Sequence, residues 1–200
     1  MLAIWAAPAQ AVLISSSDPY NFSWSYDTGS YLLTGDGSLS VTGFNSSLLT
    51  IAVTLSNTAP NGGQGGDRLT AFGFGIDPNA ISISFLDADD GGLTSADWSK
   101  GPLQSKVGVE ICAFGGQNCA GGSNGGIYAG TFDSFIISLG GIWGSSVNID
   151  PIGVRYQTGT DSYTFAVGTP PPTSVPEPAT LTMLGAGLLA LAATRRRKGR

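Results

Sequence analysis

The sequence predicts an all-β body, an antiparallel β-sandwich of jelly-roll-like character, followed by a Pro-rich linker and a single C-terminal transmembrane helix. Three observations carry that expectation. Short segments across 12–168 alternate apolar and polar residues, which marks strands with one buried and one wet face. Glycine is abundant, at 30 of 200 residues, and clusters between those segments as turn material. No long 3.6-residue period appears until the tail, where one uncharged helical run begins.

Taken in order, residues 1–11 read MLAIWAAPAQA. The apolar stretch followed by Ala9-Gln10-Ala11 has the look of a signal-peptide remnant ending in a cleavage site. A basic leader is missing, so two readings compete: an export signal that starts upstream, or a first core strand. The export features of the tail favour the first. The body then runs from 12 to 168. Phe22, Trp24 and Tyr26 share one strand face, as do Leu49, Ile51, Val53 and Leu55. Phe72, Phe74 and Ile76 repeat the pattern, and Ile81, Ile83 and Phe85 follow. The series continues with Val107, Val109 and Ile111, then Phe135, Ile137 and Leu139. Ile152, Val154 and Tyr156, and then Tyr163, Phe165 and Val167, close it. Gly35-Asp36-Gly37, Asn57–Asp67 and Asp77-Pro78-Asn79 read as turns, and Thr94–Lys100 as at most one helical turn. Eight or more short strands with Gly-rich turns are the pattern of a sandwich.

Composition narrows the function. Charged residues make up 12%, about half the usual quarter, as in many secreted β proteins. Before Ala179 the basic residues are Arg68, Lys100, Lys106 and Arg155, against all fourteen acidic residues. A body this acidic repels phosphate backbones, which argues against a nucleic-acid partner. The chain has no His, so the commonest general base and neutral metal ligand are missing.

Residues 169–175, TPPPTSV, form an extended linker. Beyond it, 176–200 reads as a tail with a helix over 179–194 and a basic end over 195–200. The helix is uncharged and spans roughly 24 Å at about 1.5 Å per residue, short against a hydrocarbon core of about 30 Å. Bilayer thinning and snorkelling of Arg195, Arg196 and Arg197 compensate. With Lys198 and Arg200 these form the basic cluster, which stays cytoplasmic and puts the body outside.

Val175, Pro176, Glu177 and Pro178, an apolar helix and an Arg-rich end together resemble the PEP-CTERM sorting signal. The resemblance implies an exosortase as processing partner, a membrane-embedded cysteine protease that cleaves near the Pro-Glu-Pro motif. It also implies export through the Sec translocon, a transient stay in the inner membrane, and a final place at the surface or in the extracellular matrix of a Gram-negative-type bacterium. The prolines keep the motif extended, as a protease cleft requires. The body is also similar to the cistern subgroup of these proteins, on Ile111–Gly116, Cys119–Gly122, Gly130–Phe135 and Ile152–Gln157.

Three constellations in the body bear on chemistry. Cys112 and Cys119 are the only cysteines, and an even pair in an exported chain reads as a disulfide. Closing about eight residues is worth roughly 2.5 kcal/mol in loop entropy. Asp87, Asp89 and Asp90 precede Gly91-Gly92 and fit either a solvated acidic turn or a calcium site, with Asp97 and Asp77 as further candidate ligands. The spacing is not that of an EF-hand, and the turn is the simpler reading. Trp98 and Trp143 lie near loops, where packing at the core edge competes with stacking on sugar rings. No phosphate loop or nucleophile elbow is present. No catalytic residue and no cofactor other than calcium is expected. The reading is a non-catalytic surface or matrix protein associated with exopolysaccharide. A carbohydrate- or calcium-binding lectin-like adhesin is the first alternative and a secreted hydrolase the second.

Overall fold

The computed structural model describes residues 12–14 (backbone alone), 19–60, 66–88, 90–99, 103, 106–120, 125–159 and 161–168. The expected signal remnant 1–11, linker 169–175 and tail 176–200 lie outside the described residues, and so does the transmembrane helix expected over 179–194. The chain divides into two units, Met1–Pro170 and Pro171–Arg200, and every described residue belongs to the first.

In chain order the strands are β1 (Val12–Ile14), β2 (Tyr20–Asp27), β3 (Leu32–Phe44), β4 (Leu48–Asn57), β5 (Arg68–Asp77) and β6 (Ala80–Asp87). They continue with β7 (Ser95–Trp98), β8 (Ile111–Phe114), β9 (Ile127–Tyr128), β10 (Phe132–Gly141), β11 (Val147–Gln157) and β12 (Ser162–Ala166). Among the described residues there is no helix. The strands form two antiparallel sheets. One has five strands in the order β2-β3-β4-β10-β6. The other has seven, β1-β11-β5-β8-β7, with β12 also on β11 and β9 also on β5. The body is therefore the all-β sandwich that the alternation predicts.

Its core is the space between the sheets. Leu49, Ile51, Val53 and Leu55 of β4 and Phe135, Ile137 and Leu139 of β10 face Phe72, Phe74 and Ile76 of β5 and Ile152, Val154 and Tyr156 of β11. Burying each such side chain contributes about 1.5–3 kcal/mol relative to leaving it exposed. Aromatic rings cross the gap: Phe22 stacks on Phe72 at 6.1 Å, and Tyr26 on Phe165 at 4.6 Å. A buried polar chain also joins the sheets. Trp24 Nε1 donates to the Tyr156 hydroxyl at 3.0 Å, which donates to the Thr34 carbonyl at 2.9 Å.

Several expectations are corrected. Gly35-Asp36-Gly37 is the middle of β3, not a turn. Trp24 pairs with Gly35 and Phe22 with Gly37, and a Cβ at either glycine would collide with the ring opposite. The glycines make room for aromatic rings laid over the neighbouring backbone. Thr94–Lys100 contains β7 in place of a helical turn, because Ser95–Trp98 pairs with β8 along its length. The strand expected through Val107, Val109 and Ile111 begins only at Ile111. Val107 and Val109 instead cover the outer face of the seven-stranded sheet, with Ala71, Leu103, Cys112 and Phe114. Between Val109 and Ile111, Glu110 is half-buried, and its carboxylate accepts the Ile76 N–H at 3.0 Å. Ile81 is 69% exposed, since the β6–β10 register shifts between Gly140 and Gly141 and Ala80 takes the inward place.

Candidate functional site

Three carboxylates meet where the chain leaves the five-stranded sheet for the seven-stranded one. Asp87 ends β6, Asp90 lies in the turn that follows, and Asp133 is the second residue of β10. One oxygen from each lies within 4.8 Å of the others. The register explains two of the positions. Asp87 lies opposite Phe135, and Asp133 is two residues before Phe135, so both carboxylates leave the same face of the sheet.

Asp133 is completely buried. Its Oδ2 accepts the Leu93 N–H at 2.6 Å, and Asp90 Oδ1 accepts the Ser134 N–H at 3.4 Å. The other Asp133 oxygen, Oδ1, and Asp87 Oδ1 are buried without a hydrogen-bond partner. Gly92 has φ +109°, and a Cβ there would stand 2.6 Å from Asp133 Oδ2. Only glycine lets the turn take that conformation and close on the carboxylate. Burial pushes the Asp133 carboxyl up to about 7. The Leu93 N–H opposes that shift, and the charges of Asp90 and Asp87 add to it. Such an arrangement can hold a shared proton or a hard cation.

The sequence brings Asp87 and Asp90 to this place, while Asp89 lies outside the described residues. Asp97 and Asp77 do not join. The first accepts the Trp98 N–H through its own carboxylate; the second sits exposed at the end of β5 opposite Asn148. Asp133 escaped the sequence reading, yet its signal is visible: it continues the inward phase of Phe135, Ile137 and Leu139, where an apolar residue is expected.

Cys112 and Cys119 are disulfide-bonded. The bridge lies on the outer face of the seven-stranded sheet, where both cysteines pack with Val107 and Val109. The indoles offer little for stacking: Trp143 is buried, and Trp98 is half-buried against the core. A separate groove of about 450 Å³ crosses the outer face of the five-stranded sheet, lined by Asn21, Ser23, Asp36, Ser38, Thr54 and Ser56 among others. The three clustered carboxylates are not part of its lining. The sorting residues Val175, Pro176, Glu177 and Pro178 and the basic cluster Arg195, Arg196, Arg197, Lys198 and Arg200 lie outside the described residues.

Comparison with known proteins places one firm mark on the chain. The PEP-CTERM protein-sorting motif matches residues 174–198. No curated protein matches the chain. Among solved structures, the yeast GGA1 GAE domain is similar at 11% identity, over 72% of this chain and 93% of that one, with a TM-score of 0.31. The sorting motif identifies an exported protein with an exosortase as its processing partner, membrane-associated at its C-terminus before processing.

Proposed function

We propose that this exosortase-sorted chain is a non-catalytic surface or extracellular-matrix protein, released from its tail near Pro176–Pro178 and associated with exopolysaccharide or biofilm. The observation that carries the reading is the sorting motif at 174–198, set directly after a Pro-rich linker. Cleavage there removes Arg195, Arg196, Arg197, Lys198 and Arg200, five of the nine basic residues. The mature body is then strongly acidic, which suits solubility outside the cell and disfavours anionic partners. Export proceeds through the Sec translocon, with a transient stay in the inner membrane of a Gram-negative-type bacterium. Mass spectrometry of the protein from a parent strain and from one lacking the exosortase tests this. The expected parent mass lacks the tail and the deletion strain retains it; an intact tail in the parent overturns the sorting claim.

The shallow, open groove over β2, β3 and β4, lined by Phe22 and Gly37 as well as by polar side chains, favours one second reading, a carbohydrate-binding adhesin. Its hydroxyls, the Asn21 amide and the Asp36 carboxylate match the donors and acceptors of a sugar. Glycan-array binding by the folded protein, lost in Asp36→Ala, supports it. Silence on the array removes it.

A further inference from the structure

We infer that Asp87, Asp90 and Asp133 form a divalent-cation site suited to Ca²⁺, which ties together the two sheets at the β6–β7 crossover. An acidic cluster alone does not make a site, and the decisive feature is Asp133. Its side chain is 0% exposed, it belongs to the carboxylate cluster, and its Oδ1 is buried without a hydrogen-bond donor. Asp87 Oδ1 is in the same condition. Buried carboxylate oxygens lacking donors are costly, and mutual repulsion adds to the cost. A cation bound between them answers both.

The donor set selects the cation. All three ligands are hard oxygens, which suit Ca²⁺ or Mg²⁺ and not the softer transition metals. Two oxygens bound to one Ca²⁺ at about 2.4 Å lie no more than about 4.8 Å apart, and the three carboxylates meet that limit. Asp90 is exposed, so one side stays open to the waters that complete a coordination shell of six to eight. Mg²⁺ demands stricter octahedral geometry and gives up its waters reluctantly.

The position gives the ion a structural task. Asp87 and Asp133 belong to the five-stranded sheet. Asp133 grips the turn at the Leu93 N–H, and the turn is tied to the other sheet, where Thr94 N–H donates to the Phe114 carbonyl of β8 at 3.1 Å, and to the loop before β9, where Gly126 N–H donates to the Gly92 carbonyl at 3.1 Å. Ligation therefore clamps the chain at the point where it passes from one sheet to the other.

Thermal unfolding of the chelator-stripped full chain in detergent, followed by circular dichroism, tests the site. With a dissociation constant on the order of 10⁻⁴ M, typical of extracellular calcium modules, about 5 mM CaCl₂ raises Tm by about 5 °C. Asp90→Asn, at an exposed position, folds and loses most of that rise, and so does Asp87→Asn. MgCl₂ gives a smaller rise, and NaCl at matched ionic strength gives none. The inference is overturned by a wild-type Tm indifferent to Ca²⁺, or by an equal rise in the Asp90→Asn chain. It is also overturned if Asp133→Asn stabilises the stripped protein while Ca²⁺ leaves the wild type unmoved, since the cluster then holds a shared proton.

Discussion

The two sheets share a core but not an outside. On the five-stranded sheet, β4 alternates strictly between buried Leu49, Ile51, Val53 and Leu55 and more exposed partners. On the seven-stranded sheet, β5 is buried from Leu69 to Ile76 without a break, and all four residues of β8 are buried. The cause is the chain segment around Val107 and Val109 and the Cys112–Cys119 bridge, which cover the outer face. One sheet is thus a single-sided wall and the other the middle of three layers. The same substitution should matter differently on the two outer faces, while the shared inner face should dominate both.

The largest effect belongs to that inner face. Ile51→Ala, at a fully buried β4 position, is expected to cost about 4 kcal/mol, read from urea unfolding of the full chain. A loss under about 1 kcal/mol breaks the picture of a single tightly packed core. Next comes the outer layer of the seven-stranded sheet. Replacing both Cys112 and Cys119 with Ser should cost about 2.5 kcal/mol through loop entropy, visible as a lower Tm in non-reducing buffer. If the double variant matches the wild type, the bridge adds nothing to the cover.

The sharpest test pairs two threonines on the two outer faces. Thr70 is buried on the covered sheet, donates to the Arg155 carbonyl at 3.3 Å and accepts from Arg155 Nη1 at 3.1 Å. Thr70→Val should cost about 2 kcal/mol, because it withdraws partners from buried polar groups. Thr54 stands exposed on the open sheet, and Thr54→Val should stay within about 0.5 kcal/mol of wild type. Equal losses at both sites, measured by denaturant unfolding, would erase the distinction between the faces.

The same contrast explains what the sequence disclosed. On the open sheet, alternation marks β4 and the inward row of β10 correctly, because one face is wet along the whole strand. Strand β3 was hidden by Gly35 and Gly37, which look like turn residues when their partners across the ladder are unknown. On the covered sheet the alternation misleads. Val107, Val109 and Ile111 keep a period of two, yet Ile111 faces the core between the sheets and the two valines lie on the opposite outer face. Periodicity records that a residue is buried and is silent about which layer buries it. Two members of the carboxylate cluster were legible as neighbours in the chain. Asp133 lies 43 positions beyond Asp90, and only the β6–β10 pairing brings it there. The sorting motif needed no fold at all, since its three parts are contiguous and in fixed order.

The glycine pair in β3 has a consequence for how the edge of the five-stranded sheet finds its place. Sliding β2 by two residues keeps every apolar side chain on the correct face, so the alternating pattern does not forbid it. Either slide, however, sets Phe22 opposite Leu39 or Trp24 opposite Leu33, in place of the notches at Gly37 and Gly35. The spacing Gly-x-Gly therefore works as a keyway cut for one aromatic pair. The rings of Trp24 and Phe22 lie over β3 at these two glycines, so a single pair of notches selects one frame from the several that alternation alone permits.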